Sequence, residues 1–250
     1  MSVRYEELCP REFRERLAAA PIAYLPLGTL EWHGEHLPLG SDSLQSHGFF
    51  LRLAEEVGGI VLPPLFLGPD KTKVIDGEQM IGMDFVLEDC GFRKDKARQL
   101  DGSAYWVPED LFSNILDATM SALARAGFKI VVGHGHGPST SFFITQIEEW
   151  HKRHGLVCMT VWAPEDDPVA DHHKYGLMTD HAGANETSIV TALHPELVHI
   201  DHLSQDSEEW PLAVGGEDPR TQASAEIGAR CLEIQQARMA KILRAELKKL

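Results

Sequence analysis

The chain has 250 residues, 43% hydrophobic and 24% charged, an ordinary balance for a globular protein able to bury a sizeable core. Its formal net charge of −15 and pI near 5.2 argue against a nucleic-acid partner, because binders of phosphate backbones carry a basic patch. It holds no run of about 20 apolar residues, so no membrane-spanning helix and no membrane partner are expected.

The opening stretch MSVRYEELCPREF is acidic and has no apolar core of the signal-peptide kind. Cys9, Cys90, Cys158 and Cys231 are scattered and form no CxxC pair, which suits reduced thiols in the cytoplasm. The basic run Arg93-Lys94-Asp95-Lys96 is short and broken by an aspartate, and reads as a solvated loop.

"IAYLPLG" (22–28) reads as a buried strand entering a glycine loop. A helix is expected over 43–57, closed by Gly58-Gly59, then a second strand at 60–65 stopped by its prolines. Residues 66–107 show little periodicity and read as an irregular excursion over a pocket. In "PEDLFSNILDATMSALARAG" (108–127), proline and two acids open a helix with an apolar stripe of Leu111, Ile115, Leu116, Met120 and Leu123. A strand over 128–137 follows, then a helix over 140–154 and a strand at 156–162. A short helix at 186–194 and a long amphipathic tail helix from about residue 219 complete the pattern. Strand–helix–strand alternation implies parallel strands with helices on both faces, in one α/β domain over 1–250. Ligands in such folds collect beyond the carboxyl ends of the strands.

Eleven of the thirteen histidines crowd into three places, two of them directly after predicted strands. In "LPLGTLEWHGEHLPLGSD" (25–42), Glu31 and His33 share a side if the backbone stays extended, since strand side chains alternate. A turn through Gly34 and Pro38 would return Asp42 towards them. Imidazole with carboxylate suits Zn²⁺, Mn²⁺ or Fe²⁺, and one aspartate can bridge two cations. These residues alone do not complete such a site. His134 and His136 of GHGHG (133–137), and Asp180, His181 and Glu186 of DHAGANETS (180–188), offer the remainder.

These three blocks resemble the creatininase (creatinine amidohydrolase) family. "PLGTLEWHGEHLPLGSD" follows that family's Glu-x-His-Gly-x-His-Leu-Pro-…-Asp signature, GHGHGPS stands at its second block, and DHAGANETSIVTALHPELV resembles its His-Ala-Gly-…-Glu-Thr-Ser block. The resemblance implies a three-layer α/β/α sandwich with a mostly parallel sheet. It further implies a binuclear centre of two divalent metal ions, hydrolysis of a C–N bond in a small, often cyclic molecule, and a homo-oligomer, frequently a hexamer. By motif position, Glu31 and His136 would hold one metal and His33 the other, with Asp42 bridging. His181, with Asp180 beside it, falls at the proton-transfer position, and Trp162 at that of an aromatic over the substrate. His36 is a candidate substrate contact or loop-fixing group.

One departure matters. The family has a second-metal glutamate two residues after its second-block histidine, and here that position is Pro138. Glu186 or His134 must fill the gap, or that site is weak; a carboxylate would restore the charge, which favours Glu186. The family's Gly-Thr segment is not recognisable in 66–107, which points away from creatinine itself as substrate.

The expected enzyme uses metal-bound hydroxide to open a small ring, at an amide-type bond first. A lactone or oxidised cyclic sugar or polyol is the alternative substrate class, and a non-catalytic binding protein the alternative from a different class.

Overall fold

A computed structural model describes residues 1–86, 96–162 and 175–250. The expectations for Cys90 and Arg93-Lys94-Asp95 lie outside the described residues. In chain order the elements are α1 (Pro10–Ala19), β1 (Ile22–Leu27), α2 (Ser41–Val57), β2 (Ile60–Val61), β3 (Thr72–Ile75), β4 (Glu78–Ile81) and α3 (Met83–Val86). They continue with α4 (Glu109–Ala126), β5 (Ile130–Gly135), α5 (Gly137–His154), β6 (Val157–Met159), α6 (Ala184–Leu193), α7 (Pro219–Gln222) and α8 (Ala225–Leu247).

Four strands form a parallel sheet in the order β2-β1-β5-β6. Alternation along β1 divides the core. Ile22 and Tyr24 face one side and join Phe49, Phe50 and Leu53 of α2, Ile189 of α6 and Met239 of α8. Ala23, Leu25 and Leu27 face the other and join Phe112, Leu116 and Met120 of α4 and Phe143 and Trp150 of α5. This is the expected three-layer α/β/α arrangement. Each large apolar side chain fully buried in it stabilises the fold by roughly 1.5–3 kcal/mol.

The order of the strands positions the site. β1 leads outwards through α2 to β2 on one side, and β5 leads through α5 to β6 on the other. The chain therefore diverges between β1 and β5, and their carboxyl ends flank a crevice, the usual ligand position in open α/β sheets. Here β1 and β5 run in register from Ile22 opposite Ile130 to Leu27 opposite Gly135. Gly135 has φ +153°, and any β-carbon there would overlap the Leu27 carbonyl. Only glycine lets the two strands stay this close at the mouth of the crevice.

Several boundaries differ from expectation. β2 stops at Val61, because Pro63 and Pro64 lack the N–H a ladder needs; the chain still follows β1 through Leu62 N–H to Tyr24 O and Leu65 N–H to Pro26 O, each at 2.9 Å. The buried stripe of α4 runs through Phe112, Leu116, Met120 and Leu123, which leaves Leu111 exposed. β6 ends at Met159, not at Trp162. The tail breaks before α8, where Ser224 Oγ accepts the Ile227 N–H at 3.2 Å as a new helix cap. Residues 66–107 are less irregular than expected, since they hold the antiparallel β3–β4 hairpin and α3. Among the described residues no helix is long and apolar enough to cross a membrane.

Candidate metal centre

The loop after β1 folds back on itself, with Glu31 N–H donating to Leu39 O at 2.9 Å. That closure delivers the chain to α2, which starts at Ser41 and so carries Asp42 in its first turn. On the neighbouring strand end, His136 N–H donates to Leu27 O at 3.2 Å, which fixes His136 beside the same loop. Glu186 enters from the first turn of α6, its Oε2 accepting the Ala182 N–H at 2.8 Å.

The outcome is two ligand trios that share one residue. Glu31, Asp42 and His136 offer atoms all within 4.8 Å of one another, and so do His33, Asp42 and Glu186. His33 Nε2 lies 3.5 Å from Asp42 Oδ1 and 3.6 Å from Glu186 Oε2, while His136 Nε2 lies 3.6 Å from Glu31 Oε2. Atoms bound to a common Zn²⁺ stand roughly 3.0–3.5 Å apart at octahedral or tetrahedral angles. The observed separations are at or just beyond that range, and too long for strong hydrogen bonds. A further trio, Glu31, His33 and His181, draws one member from each of the first two, so it competes with them.

The imidazoles are oriented as ligands. His33 Nδ1 meets the Glu31 carbonyl at 3.1 Å; a carbonyl only accepts, so Nδ1 carries a proton and Nε2 is the nitrogen turned to the carboxylates. Ser139 gives its hydroxyl proton to Gly28 O at 2.6 Å and lies 3.3 Å from His136 Nδ1, so it accepts from Nδ1–H. His136 Nε2 is thereby also free to ligate. A lone pair set against buried carboxylate oxygens is repulsive until a proton or cation stands between them. His33 Nε2 and Asp42 Oδ2 are both buried without a hydrogen-bond partner. The donor set therefore suits divalent cations bound by nitrogen and oxygen.

The creatinine amidohydrolase family model matches residues 6–80 and 91–243. The chain belongs to the creatininase family. A creatinine amidohydrolase from Pseudomonas putida is 26% identical over 217 residues, covering 81% of this chain and 76% of the relative. A solved creatininase described with Mn superposes with a TM-score of 0.72 at 24% identity, covering 98% of this chain and 99% of that one. A mutant creatininase complexed with creatine gives the same TM-score, identity and coverage. At this identity the solved structures establish the fold. With the family comes a metal-dependent hydrolase.

Within this creatininase fold the charge pattern is strongly perturbed. Burial, then Asp70, raises the Glu31 carboxyl well above the usual range. Burial lifts Glu186 to about 8. Burial also works against a charge on Asp42, yet the neighbouring His33 holds its carboxyl down at about 2. The reverse holds for His33, where burial opposes protonation but Asp42 and Glu186 bring the imidazole up to about 10.

His181 lies over the trios, its ring 4.4 Å from that of His33 and its Nδ1 4.0 Å from Glu31 Oε2. Its Nε2–H donates to Trp32 O at 2.8 Å, so Nδ1 presents a lone pair to the cavity. Burial and the His33 charge keep it neutral, lowering it to about 3. Asp180 lines the cavity, but its oxygens accept the backbone N–H groups of Asn185 at 2.8 Å and Glu186 at 3.1 Å. That carboxylate anchors the start of α6, and with it Glu186. Trp162 lines the cavity and sets its ring edge-on to His134.

His36 is not brought to the cavity. It is fully buried, and its Nε2 pairs with Thr187 Oγ1 of α6 at 2.9 Å, which makes it a strut between the first and third motifs. Of the two candidates for the place left by Pro138, Glu186 joins a trio. His134 joins none, and its Nδ1 pairs with Thr160 Oγ1 at 3.3 Å.

The cavity over the trios measures about 230 Å³, with Lys71, Met83, Pro138 and Met178 on its walls. Sequence reasoning passed over Asp70, whose Oδ2 lies 3.7 Å from His136 Nε2.

Proposed function

We propose that this chain opens a small cyclic substrate at an amide-type C–N bond with two divalent cations, Zn²⁺ or Mn²⁺, Fe²⁺ being compatible with the same donors. Glu31, Asp42 and His136 hold one cation and His33, Asp42 and Glu186 the other. The observation that carries this reading is the sharing of buried Asp42 by two trios whose imidazoles turn Nε2 to carboxylates. Bound cations supply Lewis acidity and make water a nucleophile near neutral pH.

The chain's own residues handle the proton. His181, neutral and held by Trp32 O, takes it at Nδ1 from the attacking water. The resulting imidazolium is stabilised by Glu31, 4.0 Å away, and hands the proton to the leaving nitrogen. His181 is thus a base before it is an acid. Trp162, Met83 and Met178 line a cavity whose size suits a small ring. In this reading the protein is a cytoplasmic homo-oligomer.

One feature favours a second substrate class. Lys71 on the cavity wall offers a hydrogen-bond donor to a hydroxylated ring, which suits a lactone or oxidised cyclic polyol. The test is turnover of a panel of small cyclic amides and lactones by protein reconstituted with Zn²⁺ or Mn²⁺, alongside metal analysis. Cyclic-amide hydrolysis abolished by chelation and regained with metal supports the first reading; turnover confined to lactones supports the second. Protein that binds no cation and gains no thermal stability from it is a binding protein instead.

A further inference from the structure

At the His136 end of the cavity stands one more acid, outside the three sequence blocks. Asp70 reaches the cavity from the segment between β2 and β3. Its side chain is 7% exposed and that of His136 3%, and they approach as Oδ2 and Nε2 at 3.7 Å, beyond hydrogen-bond reach. Oδ1 accepts the Lys71 N–H at 2.7 Å, which fixes the carboxylate plane and turns Oδ2 inwards.

The neighbouring backbone is shaped around this approach. Gly82, between β4 and α3, has φ +53°. A β-carbon there would collide with Asp70 Oδ2 and stand 3.1 Å from Glu31 Oε1. The gap left by glycine is what allows the two carboxylates to converge on His136.

Charge agrees with geometry. Among the carboxylates lining the cavity, Asp180 is occupied by backbone N–H groups, which leaves Glu31, Asp42, Asp70 and Glu186. Four buried carboxylates balance two divalent cations, and without cations they cannot all stay ionised at such close range.

We propose that Asp70 is an additional ligand of the cation held by Glu31, Asp42 and His136. The proposal rests on the two-cation reading above. It makes the 66–107 excursion part of the metal centre as well as a pocket cover.

The experiment is Mn²⁺ titration of chelated full-length protein by calorimetry, with bound ions counted by mass spectrometry. Wild type should show two sites. Asp70→Asn, which keeps shape and removes charge, should weaken one site at least about tenfold and leave the other unchanged. The metal-free variant should melt no lower than metal-free wild type, because a repelling charge is gone. Gly82→Ala, which leaves Asp70 in the sequence but blocks its place, should weaken the same site. If wild type holds two ions and the variants lose neither, or lose both together, the role of Asp70 is wrong and the centre stands. If wild type holds none, the two-cation reading falls, and this inference with it.

Discussion

Ser139 donates its hydroxyl proton to the Gly28 carbonyl at 2.6 Å and, from 3.3 Å, accepts the Nδ1–H of His136. This one side chain joins the end of β1 to the start of α5 and decides which imidazole nitrogen faces the carboxylates. Ser139→Ala frees the ring to take the wrong tautomer, so cation affinity should fall by about 10–100-fold. It also leaves a buried carbonyl and a ring N–H without partners, which should cost roughly 1–3 kcal/mol of stability. Mn²⁺ titration and urea unfolding of the chelated protein measure the two effects separately. Unchanged affinity would mean that Ser139 does not set the tautomer.

Asp42 is the one residue common to the two trios, and both of its oxygens are drawn in: Oδ1 stands 3.5 Å from His33 Nε2, and Oδ2 is buried without a partner. Asp42→Ala should therefore abolish both sites, while Glu186→Ala should remove only the His33 site. Metal counted after gel filtration distinguishes the two patterns. Retention of one ion by Asp42→Ala would show that the trios do not share this residue.

Much of this arrangement was legible in the chain. Uninterrupted apolar strands, alternating with helices, require a buried parallel sheet, and loops beyond its carboxyl ends are where polar clusters have somewhere to converge. Glu31, His33 and Asp42 were readable because they lie in one short loop. Asp70 was not, because its partner His136 is 66 residues away and only the register of β1 against β2 and β5 brings their loops together. The misplaced first member of the α4 stripe has a simpler cause, since Leu111 and Phe112 are both apolar and only tertiary packing selects between them. His36 was legible only as one of two alternatives, substrate contact or loop-fixing group, and the loop that turns His33 inwards turns it to Thr187.

His181 belongs to neither of the Asp42 trios, yet its Nδ1 lone pair opens onto the cavity from beside Glu31. His181→Ala should keep both cations and lose turnover by about 10²–10⁴-fold, the usual worth of a positioned proton carrier. Exogenous imidazole that restores part of the rate would separate proton transfer from a packing role. Normal kcat in the metal-loaded variant would remove His181 from the mechanism.

Cation binding should expel protons. In the metal-free protein burial opposes a charge on His33, but Asp42 outweighs it and brings the imidazole to about 10, while burial brings Glu186 to about 8. Both lie above their unfolded values of about 6.5 and 4.3, so each group holds a proton more firmly in the fold than in the open chain. Their stabilising contributions are complete below those unfolded values and are lost as pH rises through about 8 for Glu186 and about 10 for His33. Metal-free protein should therefore melt at progressively lower temperature from about pH 6 to pH 9, while metal-loaded protein, with cations in place of those protons, should change far less. Affinity for Mn²⁺ should rise over the same range. Calorimetry at one pH in buffers of different ionisation enthalpy gives the number of protons released, and a value of zero would show that His33 and Glu186 are not displaced from their protons by the metal.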